Sequence, residues 1–344
     1  MKQVKKLLSF AILLFIFALA ASNAAQALTC DPENPKCGRE EIFTRSDAAR
    51  AQSSTKDDSR QWFKADLHTH HTYQNPLKDE IAKYREAGYH FLVLSTKDMQ
   101  TPKDVEKYST AEMMIVSGVE QSFLSRKNRL AHVLGFRIKN PYRFTDTWSL
   151  KEGYVKLRAK NKDIVLGINH PHDQRWSLED VLEAADEGVI LFELNSISMK
   201  HGEFETALWD EALTRGARLY ATLTNDVHQI SDIDAYGYIM IHSASLDLET
   251  IAKSLHTGDF YAEESGCTAT PVRYAIVETD GGKSLVIETE GAAKIRVIAD
   301  NGAMRGSYEG NNALYPIAGD ETYIRAEILD SQGRYVFLQP FFLK

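Results

Sequence analysis

Between Trp62 and Gly266 the chain alternates short apolar runs with amphipathic stretches, and this constrains its fold more than any other feature. The runs are 62–67, 91–95, 113–119, 130–138, 163–168, 189–194, 218–223 and 236–242. Stretches with helical apolar spacing lie between most of them, at Pro76–Ala87, Trp148–Lys160, Leu178–Glu187, Phe204–Arg215 and Leu248–His256. Strands that alternate with helices pack as an α/β fold around a largely parallel sheet. Seven or eight strands without a glycine-rich dinucleotide turn point to a barrel more than to a doubly wound sheet.

The flanks differ in character. Residues 1–27 begin with Lys2, Lys5 and Lys6, continue as an apolar run from Leu7 to Ala21, and end at Ala25-Gln26-Ala27. That is the pattern of a secretory signal peptide, and the run is short for a membrane span of about 20 residues. An uncleaved anchor is the competing reading; a lipoprotein signal fits less well, because Thr29 precedes Cys30. The chain is therefore expected to be secreted or periplasmic, with no membrane association after cleavage. Residues 28–60 are polar and lack an apolar period, as a linker or arm does. Cys30 and Cys37 flank a proline-rich octapeptide and could close a small disulfide loop in an oxidising compartment. From 271 to 344, short alternating strands separated by DGG, ADNG and DSQG turns indicate a small C-terminal β-sandwich, leaving 61–270 for the α/β unit.

Composition removes one class of function. Removing the leader's three lysines takes the formal charge from −8 to −11, and no long Lys/Arg run is present. Such a chain lacks the electrostatic footprint of a non-specific nucleic-acid binder, so no nucleic-acid partner is expected.

Chemistry concentrates at the ends of the apolar runs. The first run leads into Asp66-Leu67-His68-Thr69-His70-His71, and the two-residue period of a strand puts His68 and His70 on one side, within reach of one metal ion. A lone pair of this kind also occurs on ordinary surfaces. The ends of four further runs strengthen it: Glu120 closes the third run, His132 opens the fourth, His170 follows the fifth in Asn169-His170-Pro171, and Asp226 and His228 form a second same-side pair after the seventh. Functional groups of α/β barrels gather at the carboxyl ends of strands. His132 alone would read as a core histidine, and Glu120 alone as a solvated acid. Together they make a ligand set in which Glu120 is the natural carboxylate shared by two metals. His71 and His172 are candidates for substrate contact, whereas His90, His201, His242 and His256 fall at strand starts, in loops or on helix ends and receive no role.

Taken in order and with their gaps, the motifs DLHTH, GYHFLVLS, SGVE, AHVLGF, NHP and TNDVH resemble the polymerase and histidinol phosphatase (PHP) superfamily of metallohydrolases over about residues 62–270. The trailing GDFYAEESG and the β tail resemble, more narrowly, its carbaryl hydrolase-like (CehA/McbA) branch. The resemblance implies a distorted (β/α)7 barrel with a C-terminal β-sandwich. It also implies one metal held by His68, His70, Glu120 and Asp226, a second bridged by Glu120 and bound by His132 and His170, and His228 serving a third metal or the substrate. The chain departs from the family at Ser95-Thr96-Lys97-Asp98, where Lys97 stands in place of a third-metal histidine. An ammonium cannot ligate, so two divalent ions (Zn, Mn or Fe) are expected, with Lys97 acting electrostatically on a substrate anion. A frame shifted by one residue puts Asp98 there instead.

The resulting expectation is an exported metal-dependent hydrolase, most readily a phosphoesterase, acting on a small anionic ester. Lys97 and His228 would be catalytic, and His71, His172 and Arg175 would contact substrate. Carbamate, amide or carboxyl ester hydrolysis on the same fold, a degraded and inactive site, and a non-catalytic metal-stabilised binding protein are the alternatives.

Overall fold

The computed structural model describes residues 51–52, 59–95, 104–137, 147–161 and 163–344. Lys97, Asp98, the leader and the Cys30/Cys37 pair lie outside the described residues. The first part of the chain contains β1 (Ala51–Gln52), β2 (Gln61–Thr69), α1 (Leu77–Glu86), β3 (Phe91–Leu94), β4 (Met114–Leu124), β5 (Leu130–Phe136), α2 (Leu150–Lys160) and β6 (Val165–Ile168). It continues through α3 (Pro171–Gln174), α4 (Leu178–Asp186), β7 (Leu191–Glu193), α5 (Thr206–Thr214), β8 (Tyr220–Thr222), β9 (Gly237–Ser243), α6 (Leu248–Thr257) and β10 (Phe260–Glu264). The tail is strand apart from a 3-10 turn at Asp300–Gly302: β11 (Thr270–Thr279), β12 (Gly282–Glu290), β13 (Ala292–Ala299), β14 (Ala303–Glu309), β15 (Asn312–Pro316), β16 (Tyr323–Asp330) and β17 (Tyr335–Phe342). No helix among the described residues is long and apolar enough to cross a membrane.

One mixed sheet of 13 strands organises the molecule, in the order β14-β13-β16-β17-β10-β9-β2-β3-β4-β5-β6-β7-β8. β2, β3 and β4 are parallel, as are β6, β7 and β8. β3, β6, β7 and β8 are buried at every position, which explains why none of them alternates apolar with polar residues: strands covered on both faces have no solvent side. Past β8 the chain returns to β2, where Val227 bridges Thr69 in parallel and the Asp226 N–H donates to the His68 carbonyl at 3.0 Å. The two edges of the β2–β8 stretch therefore meet at the carboxyl end of β2.

An exact seven-fold strand-helix repeat is not what forms. β4 and β5 make an antiparallel hairpin with no helix between them, and β5 also runs antiparallel to β6. The described part of the β3–β4 crossover holds only a 3-10 turn, Val105–Tyr108. Where helices do form, local signals set their ends. Ser149 and Glu152 cap α2 reciprocally, Ser177 and Asp180 do the same for α4, and Gly258 ends α6 at φ 61°, a left-handed turn that glycine adopts without a Cβ clash.

The tail strands β11, β12 and β15, joined at one edge by β1, form a second, antiparallel sheet of order β1-β11-β12-β15. Its inner residues, among them Tyr274, Ile276, Leu285 and Ile287, share a core with Ile295, Val297, Ile324, Ile328 and Leu338 from the large sheet. β17 pairs with β10, so the tail's other layer continues the large sheet. A buried ionic cluster ties the two parts: Arg325 of β16 holds Asp210 of α5 with two 2.7 Å bonds and reaches Glu327 at 2.9 Å, while the Tyr323 hydroxyl donates to Asp210 at 2.7 Å.

Candidate metal centre

The centre starts from β2. Strand alternation carries His68 and His70 inward on one side, and both present Nε2 to Asp226 Oδ1, at 3.2 and 2.9 Å. Asp226 reaches this point because the segment after β8 turns back onto β2, and its backbone takes φ 43° to do so. A positive φ strains a residue with a Cβ and persists where surrounding contacts over-determine it.

The hairpin supplies the second half. In the β4–β5 register Ser122 faces His132 and Glu120 faces Leu134, so Glu120 and His132 are diagonal neighbours on one face. His132 Nδ1 lies 2.8 Å from Glu120 Oε1, and His170 Nε2 lies 3.0 Å from the same oxygen. His170 comes from the turn between β6 and α3, where its φ of 23° makes it the second strained residue of the centre. Glu120 also meets the first group, with His68 Nε2 at 3.4 Å from Oε1 and His70 Nε2 at 3.4 Å from Oε2. It therefore stands between the two groups, where a bridging carboxylate must stand. Asn169 Nδ2 lies within 3.4 Å of both Glu120 Oε1 and His68 Nε2.

The electrostatics follow from burial. His68, Glu120 and Asp226 are 0%, 2% and 6% exposed, a degree at which an unpaired charge is costly. Burial opposes charging of His68, His70 and His170, but the carboxylates of Asp226, Glu120 and Glu193 outweigh it and raise all three imidazoles. Burial likewise opposes ionising Glu120 and Asp226, and the surrounding histidines overcome it and lower both. The charged form of each of these acids and bases is thus favoured by the other. The contacts are imperfect: buried Asp226 Oδ1 has no properly aligned hydrogen bond despite its two close imidazoles. Three groups have donor atoms close enough to share one ion: His68/His70/Asp226, Glu120/His132/His170 and His68/His170/Glu193. Imidazole and carboxylate in these numbers suit first-row divalent metals, so the donor set fits.

Glu193 escapes the sequence reading. It closes β7, fully buried, accepts from the His170 N–H at 2.5 Å and from the Thr224 hydroxyl, and lies 3.2 Å from His68 Nδ1. A carboxylate on one imidazole nitrogen orients the other toward a metal. The available signal was its position at the end of the run 189–194. Asp66 is a further buried acid, accepting from Asn225 Nδ2 at 2.8 Å and the His68 N–H at 3.1 Å; burial pushes it up to about 7 despite those bonds.

Of the remaining expected residues that the structure describes, His228 adjoins the centre. The His228 ring is 4.9 Å from that of His70, and its Nδ1 bonds the Asp226 carbonyl at 2.7 Å; it is exposed and belongs to none of the three groups. His71 is tied to Glu80 of α1 at 2.8 Å, and exposed His172 to Glu205 at 3.1 Å. Arg175 ends α3 in the left-handed region at φ 50°, exposed.

No family model and no curated protein matches the chain. Among solved structures it is similar to a two-domain protein from Bacteroides vulgatus described as containing a predicted PHP-like metal-dependent phosphoesterase, with 15% identity, 86% of this chain and 92% of that one covered, and a TM-score of 0.45. PsfC from Pseudomonas syringae shares 13% identity over 56% of this chain and 87% of its own, at 0.40. An amidohydrolase from Chromobacterium violaceum, with bound sulfate and no metal, shares 13% over 48% and 87%, at 0.37. None of these is similar enough to lend its chemistry to this chain.

Proposed function

We propose that the chain is a metal-dependent hydrolase of the PHP type that cleaves small phosphoesters at a centre of two divalent ions, Zn, Mn or Fe. One observation carries this reading: Glu120 stands within 3.4 Å of His68, His70, His132 and His170, between two groups each able to hold an ion. His68, His70 and Asp226 would hold one ion and His132 and His170 the other, with Glu120 shared. Two such ions would supply a nucleophilic hydroxide from water near neutral pH and polarise the ester oxygen.

The chain's own residues do the rest. Glu193 accepts the Nδ1 proton of His68 and so directs Nε2 at the centre. His228 donates its Nδ1 proton to the Asp226 carbonyl, which leaves Nε2 at the exposed edge of the ring to bind a substrate oxygen or protonate a leaving group. His172 and Arg175, exposed on the short helix that follows His170, border the same end. Lys97 is the cation that replaces a third metal and attracts the substrate anion. The leader, the order of the motifs and the GDFYAEESG segment support export and a place in the carbaryl hydrolase-like branch.

The test uses the mature chain. Bound metal is counted, and hydrolysis of p-nitrophenyl phosphate, its bis ester and a p-nitrophenyl carboxyl ester is measured. The expected result is two equivalents of metal with phosphate monoester or diester turnover; metal without turnover of any of the three refutes the enzyme reading. N-terminal sequencing of the exported protein should begin at Leu28.

A further inference from the structure

A cavity of about 390 Å³ opens on the segment joining β7 to α5. It lies at the same end of the sheet as the candidate ligands. β2 and β10 are each antiparallel to β9, so Glu264, the last residue of β10, shares the carboxyl edge with His68 and His70. A bonded chain also links the two places. Asn195 in the cavity wall donates to the Thr224 carbonyl at 2.7 Å, and the Thr224 hydroxyl donates to Glu193, which holds His68.

The lining is of two kinds. Ile197, Met199 and Phe204 make it apolar, and Phe204 is backed by the Tyr335 and Phe337 rings of β17 at 5.3 and 4.8 Å, so the tail braces one wall. Against these stands Glu264, 2% exposed. One oxygen of Glu264 accepts from the Tyr335 N–H at 3.1 Å; the other meets His201 Nδ1 at 2.7 Å. The His201 side chain is 65% exposed, so a buried carboxylate depends on an imidazole that can swing into water. With His201 neutral, Glu203 and Glu264 outnumber Lys200 in the lining, for a formal charge of −1.

We propose that this cavity seats the part of the substrate that is not hydrolysed. It takes a compact apolar body bearing a primary ammonium, which replaces His201 at Glu264. The apolar body fills the space between Ile197 and Phe204, and the ammonium gains a charge-assisted bond to a desolvated carboxylate, stronger than a neutral hydroxyl would make. Only the word substrate rests on the hydrolase reading; the binding does not.

Calorimetric titration of the mature chain with phenethylamine, 2-phenylethanol and 3-phenylpropionate tests this. Phenethylamine should bind at least about tenfold tighter than the alcohol, and the acid should not bind. Glu264→Gln should weaken the amine about tenfold, and His201→Ala should tighten it a few-fold by removing the internal competitor. Ile197→Trp, at a position 44% exposed, should abolish binding by filling the space and keeps the test decisive if Glu264→Gln does not fold. Equal affinity for all three compounds, no binding of the amine at millimolar concentration, or indifference to Ile197→Trp overturns the proposal. Metal is counted on the same samples. Two ions without amine binding refute the cavity assignment alone, and amine binding without metal refutes the hydrolase reading alone.

Discussion

Two clusters of buried charge can be compared, one at the Arg325–Asp210–Glu327 junction and one around Glu120. At the junction each carboxylate meets a cationic or hydroxyl donor at 2.7–2.9 Å, and the planar guanidinium matches Asp210 with two parallel bonds. Arg296, with Nη1 3.7 Å from Glu327 Oε2, supplies a second guanidinium, so two permanent cations face the two acids. Around Glu120 and Asp226 the acids meet imidazoles that neutralise them only when protonated, one buried oxygen lacks an aligned donor, and two backbone residues are strained. A closed ionic cluster is a structural joint. An open one, held in strained geometry, can take a cation that comes from outside.

The largest expected effect falls on the open cluster. Glu120→Ala removes the residue that the two proposed ion sites would share and should cost about three orders of magnitude or more in kcat/KM for p-nitrophenyl phosphate, with loss of at least one metal equivalent. The closed cluster should behave in the opposite way. Asp210→Ala leaves Nε and Nη2 of Arg325, 2% exposed, without their acceptors, and should destabilise the fold by roughly 3–5 kcal/mol in chemical denaturation while leaving the metal count unchanged. Glu193→Gln keeps the shape but weakens the orientation of His68, and metal affinity in a competition titration should fall about 10–100-fold.

The pH dependence of the metal-free protein gives the smallest and most discriminating effect. His68, His70 and His170 have raised pKa values in the fold, so their contribution to stability is complete below the unfolded value of about 6.5 and is lost as pH rises through the folded values. Glu120 and Asp226 are lowered, so their contribution is present above about 4 and is lost as pH falls through the folded values. Chelated protein should therefore lose Tm as pH rises above neutral. Metal-loaded protein should hold its Tm there, because deprotonated imidazoles bind metal better. Identical Tm profiles for the two forms would break the contrast between open and closed clusters.

Much of the centre was legible in the sequence because strand geometry is periodic. His68 and His70 share a face by alternation, and Glu120 and His132 meet because a hairpin returns the start of one strand to the end of the other. Glu193 was not legible: a single acid closing an apolar run has no partner in the local sequence, and its role depends on His68, 125 residues away. Arg325 lies in an alternating strand pattern that reads as an outward-facing position, and only the packing of β16 on α5 buries it. The register of β17 against β10 was hidden for the same reason, since an apolar strand advertises a face to cover without naming its neighbour. β14, exposed along most of its length, lacks even that signal.

Anomalous diffraction from crystals of the metal-loaded protein, collected at the metal absorption edge, tests the central claim most directly. The account predicts two peaks, one against His68, His70 and Asp226 and one against His132 and His170, with Glu120 touching both. No peak at Glu120, or a single peak that leaves either group empty, would contradict it.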